Sequence, residues 1–118
     1  RCGWIDLPQL RYTIQLTGTT ELCMTKIDVL NAFAEIEAAT HYRYGGQETT
    51  NLPYDLCQVE VNAVFKKYKG WECALDGART IEDLPSAARV FLDDLEAYLG
   101  VPFRMVSTGP EREKLLVR

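Results

Sequence analysis

Lys26 and Asp28, in the stretch Glu21-Leu22-Cys23-Met24-Thr25-Lys26-Ile27-Asp28, are the residues whose types and spacing best suit binding chemistry. The stretch begins apolar, which reads as a buried strand over 21–27, and its charges fall at the carboxyl end. In open α/β sheets that end is where ligands are held. Two residues apart in an extended segment, the side chains point the same way. A flat lysine stem can lie on a purine ring, and a carboxylate can accept from the N–H edge of guanine. Adenine has no matching pair of donors on that edge. The competing reading of the tripeptide alone is a solvated strand end.

A second stretch, Ser107-Thr108-Gly109-Pro110, follows another apolar run, Phe103-Arg104-Met105-Val106-Ser107. Taken alone it is an ordinary turn. If the two strands are parallel neighbours, both loops share one crevice. A glycine-containing loop then brings backbone N–H groups close to a ligand, which is what a guanine O6 acceptor requires. A buried hydrogen-bonding site discriminates strongly, because the wrong base leaves polar groups unpaired.

The elements that must position these loops alternate between helix and strand. Asp6 caps a helix beginning Leu7-Pro8, with Leu7, Leu10, Ile14 and either Tyr12 or Leu16 on its apolar face. Thr17-Gly18-Thr19-Thr20 ends it. Val29 to Ala34 reads as a short helix whose first N–H groups sit beside Asp28. From Ile36 an alternating pattern gives a strand to Tyr44, and Gly45-Gly46 makes a two-residue turn into a return strand at Gln47. Residues 51–60 read as loop, 59–65 as a strand, and Lys66 to Trp71 as a turn. Leu84 to Leu99 is a helix with Leu84, Ala88, Phe91, Leu92, Leu95 and Leu99 buried. Asp93, Asp94 and Glu96 face water, and Gly100 stops it. Leu115-Leu116-Val117 gives a last strand.

The chain has 118 residues, enough for one domain with its own core, and 47% of them are hydrophobic. A net charge of −4 argues against a nucleic-acid partner. No apolar stretch approaches the roughly 20 residues of a membrane helix. Cys2, Cys23, Cys57 and Cys73 lack metal-ligand spacing and read as free thiols of a reducing compartment, Cys23 as a core residue. His41 reads as a surface or half-buried strand residue, and Asp93-Asp94 as a solvated helix face. Lys66-Lys67-Lys69 reads as a solvated turn and Trp71 as core. No signal peptide opens the chain, and Arg1-Cys2-Gly3-Trp4, with no initiator Met, reads as a cut through a longer protein.

Thr25-Lys26-Ile27-Asp28 resembles the [N/T]-K-x-D guanine motif of GTP-binding proteins. Cys2-Gly3-Trp4-Ile5-Asp6 precedes it. Tyr42-Arg43-Tyr44-Gly45-Gly46-Gln47-Glu48, Gly70-Trp71, Gly77-Ala78-Arg79 and Ser107-Thr108-Gly109-Pro110-Glu111-Arg112 follow in order. With these landmarks the chain resembles the carboxyl-terminal part of the adenylosuccinate synthetase family, from Arg1 to nearly Arg118. The resemblance implies an α/β fold, a partial, mostly parallel sheet of P-loop-NTPase-like type with flanking helices and a small antiparallel hairpin portion. It implies that residues 1–118 are a GTP-binding segment in which Lys26 and Asp28 bind guanine. Ile27 then lines the site through its backbone, and Ser107, Thr108 and Gly109 close the pocket. The intact enzyme joins IMP and L-aspartate with GTP hydrolysis through a 6-phosphoryl-IMP intermediate, giving adenylosuccinate, GDP and phosphate. It requires Mg²⁺ and acts as a cytoplasmic homodimer. The family's catalytic Asp and His, phosphate loop, Mg²⁺ site and IMP contacts belong to its amino-terminal part, so the resemblance assigns no catalytic or metal residue here. Arg1 matches the arginine just before the C-G-W segment and receives no role. The alternative is a stand-alone guanine-nucleotide-binding or interaction module without ligase chemistry.

Overall fold

The computed structural model describes residues 2–118, and Arg1 lies outside them. Asp6 does two jobs at the start of the chain. It ends the short strand β1 (Ile5–Asp6) and caps helix α1 (Leu7–Thr17), where its carboxylate accepts from the Gln9 N–H at 3.0 Å. The Tyr42 hydroxyl donates to the same carboxylate oxygen at 2.5 Å. Burial first, and then that carboxylate, push the Tyr42 phenol well above its ordinary value. Gly18, at φ 67°, turns the chain off the helix and donates back to the Ile14 carbonyl at 3.0 Å. Leu7 and Ile14 are buried and Leu10 half-buried. Tyr12 and Leu16 are exposed, because the core takes only the narrow stripe at 7, 10 and 14.

After strand β2 (Leu22–Met24), strand β3 (Glu35–Tyr44) organises the first sheet. One edge of β3 pairs antiparallel along strand β5 (Asn62–Lys69). The other edge is shared: β1 pairs parallel at Ala38 and Ala39, and strand β4 (Gln47–Thr49) pairs antiparallel at Tyr42 to Tyr44. Gly45 and Gly46, at φ 57° and 76°, form the hairpin turn, which requires left-handed backbone. The expected strand at 59–65 begins later and runs on through the lysines to Lys69. Charge does not break it because the lysines are exposed and both Lys66 and Lys67 find a carboxylate. Lys66 pairs with Asp94 at 2.7 Å and Lys67 with Glu35 at 2.7 Å, while Tyr68 turns inward.

Helix α2 (Ser86–Leu99) buries the expected face, with Ala88, Phe91, Leu92, Leu95 and Leu99 all in the core. Leu84 is buried just ahead of it. Gly100, at φ 76°, ends it with an N–H returned to the Glu96 carbonyl at 2.8 Å. Glu96 does not simply face water. Its carboxylate accepts from the Phe103 N–H at 2.6 Å and from Arg118 at 2.7 Å, tying the helix end to the second sheet. Strand β6 (Phe103–Ser107) is central in that sheet, parallel to β2 and antiparallel to strand β7 (Leu115–Val117). The α/β expectation therefore holds as a mixed arrangement. The pairs β1–β3 and β2–β6 are parallel, and the other three pairings are antiparallel. One apolar core, running from Leu7 through Ile36, Trp71 and Leu95 to Leu116, joins the two sheets. Among the described residues no helix is long and apolar enough to cross a membrane.

Candidate functional site

The parallel register of β2 and β6 builds the candidate site. Cys23 pairs with Met105 and Met24 with Val106, so both strands finish at the same edge of the sheet. Thr25 to Asp28 leave one strand there, and Ser107 to Gly109 leave the other. The two stretches singled out in the sequence, 79 positions apart from Asp28 to Ser107, are thus brought side by side.

The local geometry of the first stretch differs from the expected extended strand. The strand stops at Met24, Lys26 takes φ 59°, and Ile27–Leu30 form a 3₁₀ turn. The period-two alignment of Lys26 and Asp28 therefore does not hold. The chain turns here because Ile27, only 1% exposed, drops into the core between its charged neighbours. Lys26 is left exposed and Asp28 half-exposed. Among the described residues neither of the two enters an ion pair. The expected helix at 29–34 is this shorter turn, begun two residues earlier. Cys23 is exposed rather than in the core, because β2 is an edge strand and turns its central side chain outward.

The turn is anchored from behind by residues the sequence marked only as landmarks or packing. Trp71, buried, donates its indole N–H to Asn31 at 2.7 Å. The Gly70 N–H donates to the Ala34 carbonyl at 2.8 Å. Trp4 packs edge-on against Phe33, with ring centroids 5.3 Å apart.

The second stretch is held from within. The Ser107 hydroxyl donates to the Gly109 carbonyl at 2.8 Å. Thr108, 2% exposed, donates both its N–H and its hydroxyl to the Lys114 carbonyl, at 2.9 and 3.2 Å. Thr108 is therefore a loop anchor with its donors already used. Gly109 is half-exposed, and its N–H has no acceptor among the described residues. Lys114 and Asp76, joined at 2.9 Å, were invisible in the sequence because their link spans 38 positions with no local pattern.

Cavities of about 480 Å³ beside α1 and Tyr54, and of about 460 Å³ beside Leu75 and Arg79, are not lined by these residues. The candidate site is an open sheet edge. No group of three or more His, Cys, Asp or Glu side chains converges among the described residues.

An α/β chain with two parallel strands ending in adjacent loops falls in the class that takes ligands at strand carboxyl ends. Within that class, the adenylosuccinate synthetase family model matches residues 1–116, and the chain belongs to that family. It is 42% identical over its whole length to adenylosuccinate synthetase of Cytophaga hutchinsonii, covering 28% of that protein. It is 45% identical over 98% of its length to that of Candida tropicalis, covering 27%. The solved structure of fully ligated adenylosuccinate synthetase from Plasmodium falciparum superposes on the whole chain with a TM-score of 0.92 at 27% identity, over 29% of that protein. The chain thus spans under a third of the length of the relatives it matches.

Proposed function

We propose that this chain is the guanine-recognising segment of an adenylosuccinate synthetase, the ligase that joins IMP and L-aspartate with GTP hydrolysis. The observation that carries the reading is the β2–β6 register, which puts Lys26 to Asp28 and Ser107 to Gly109 at one sheet edge. In this reading the Lys26 stem lies against the purine face. The Asp28 carboxylate accepts from the N1–H and 2-amino group, and Ile27 lines the site through its backbone. The free Gly109 N–H donates to O6, with Ser107 and Thr108 shaping the loop that presents it. Adenine offers neither the paired donors nor the O6 acceptor, so both halves of the site reject it.

The resemblance supplies the rest. The γ-phosphoryl group of GTP is transferred to O6 of IMP, and the aspartate amine then displaces phosphate at C6. Mg²⁺, the catalytic Asp and His, and the IMP contacts belong to the part of the family not represented in this chain. The whole enzyme acts in the cytoplasm as a homodimer.

Titration of the chain and of Asp28→Ala with GDP and ADP tests the reading. The expected result is a clear preference for GDP. Losing one charge-assisted acceptor should weaken GDP by roughly 10- to 100-fold and leave ADP unchanged. Equal binding of both nucleotides, or an unchanged preference in Asp28→Ala, rejects the guanine assignment.

A further inference from the structure

Lys114 holds the loop after β6 with three parts of one residue. Its carbonyl takes both donors of Thr108. Its stem covers Gly109: a Cβ added at Gly109 would stand 3.1 Å from Lys114 Cγ and 3.2 Å from a Glu111 carboxylate oxygen, and would have to push both aside. Its ammonium leaves the loop and donates to the Asp76 carbonyl oxygen at 2.9 Å and to the Asp76 carboxylate at 3.2 Å. The Lys114 side chain is 22% exposed and the Asp76 side chain it reaches is 78% exposed, so the lysine lies along the loop and its bonds to Asp76 form at the surface.

We propose that Lys114 is a positioning residue for base recognition. By tying the loop Ser107–Gly109 to Asp76, it fixes where the Gly109 N–H stands and so sets the preference for guanine over adenine. The inference rests on the guanine reading above. Its physical basis is that a hydrogen bond to O6 depends steeply on donor placement, and glycine by itself does not hold a donor in place. Adenine carries a 6-amino donor where guanine carries O6. A displaced Gly109 N–H therefore loses affinity for guanine and gains none for adenine. Lys114 touches the loop and not the base.

The test compares GDP and ADP binding by the wild-type chain, Lys114→Met, Lys114→Arg and Asp76→Ala. Methionine keeps the stem over Gly109 and removes the ammonium. Its GDP affinity should fall about tenfold, equal to the loss of one charge-assisted bond, with ADP and the unfolding midpoint unchanged. Arginine restores the charge and should recover most of the preference. Asp76→Ala leaves the backbone carbonyl as acceptor and should show a smaller loss, and it carries the test if Lys114→Met fails to fold. An unchanged GDP-to-ADP ratio in Lys114→Met, while Asp28→Ala lowers it, overturns this inference alone. A parallel fall for both nucleotides, or one that tracks a lower unfolding midpoint, assigns Lys114 a structural role and also overturns it. No GDP preference in the wild type overturns this inference and the guanine reading together.

Discussion

Lys26 sits where stability and the proposed function pull in opposite directions. Its φ of 59° lies in the left-handed region, where a β-carbon crowds the following carbonyl at a cost of about 1 kcal/mol. The strain persists because Ile27 must reach the core one residue later. Asparagine tolerates this backbone better than lysine and keeps the unfolded chain from gaining the freedom that glycine would add. Lys26→Asn should therefore stabilise the fold by about 0.5 kcal/mol, read as a higher denaturation midpoint. The same substitution removes the stem proposed to cover the purine, so GDP binding should weaken. A variant that loses stability and keeps GDP affinity would contradict both halves of the argument. At this scale the sequence offered Lys26 and Asp28 as candidates by matching residue type to a purine edge, and the left-handed turn in which they sit was not legible. That turn follows from Ile27 finding a core built by distant segments.

The elements show the same division. Helices α1 and α2 and the β3–β4 hairpin were legible because each carries its own stop signals: Asp6 and Gly18, Gly100, and Gly45-Gly46. The end of β5 was not, because Lys66 and Lys67 look like turn residues until Asp94 and Glu35 supply partners. Lys66, and then the Tyr68 hydroxyl, hold the Asp94 carboxyl below its ordinary value. Gly70, just past β5, is the tightest joint between that strand and the candidate site. A Cβ there would stand 1.7 Å from the Phe33 carbonyl oxygen, which is backbone and has little room to yield. Gly70→Ala must push β5 away from residues 33–34 and break the 2.8 Å bond to the Ala34 carbonyl. The expected loss is about 2–4 kcal/mol in chemical denaturation. GDP binding should fall with it, because Asn31 and the turn before it hang on the same joint. Gly3 has open space where its Cβ would go, so Gly3→Ala serves as the control and should show almost no change.

The whole molecule is elongated, 47 × 32 × 25 Å, with a radius of gyration of 15.5 Å. A compact chain of this length would have roughly 13–14 Å. Large apolar side chains are left outside, among them Leu16, Tyr54, Leu56 and Val90. Relatives more than three times as long have much further surface to set against such faces. The proposed division of labour makes its firmest prediction at this scale. The candidate site offers a stem, a carboxylate and a backbone donor, all suited to holding a base. In the proposed reading none of them moves a phosphoryl group, and no group of three or more His, Cys, Asp or Glu side chains converges among the described residues. The one histidine, His41, lies in the other sheet, where it meets Glu48 at 3.3 Å and Thr40 at 3.0 Å. Purified as these 118 residues and supplied with IMP, L-aspartate, GTP and Mg²⁺, the chain should release no phosphate and form no adenylosuccinate, while still preferring GDP to ADP. Phosphate release coupled to adenylosuccinate formation, absent from an Asp28→Ala control, would place the chemistry within this segment and refute the division between a base-reading part and a reacting part.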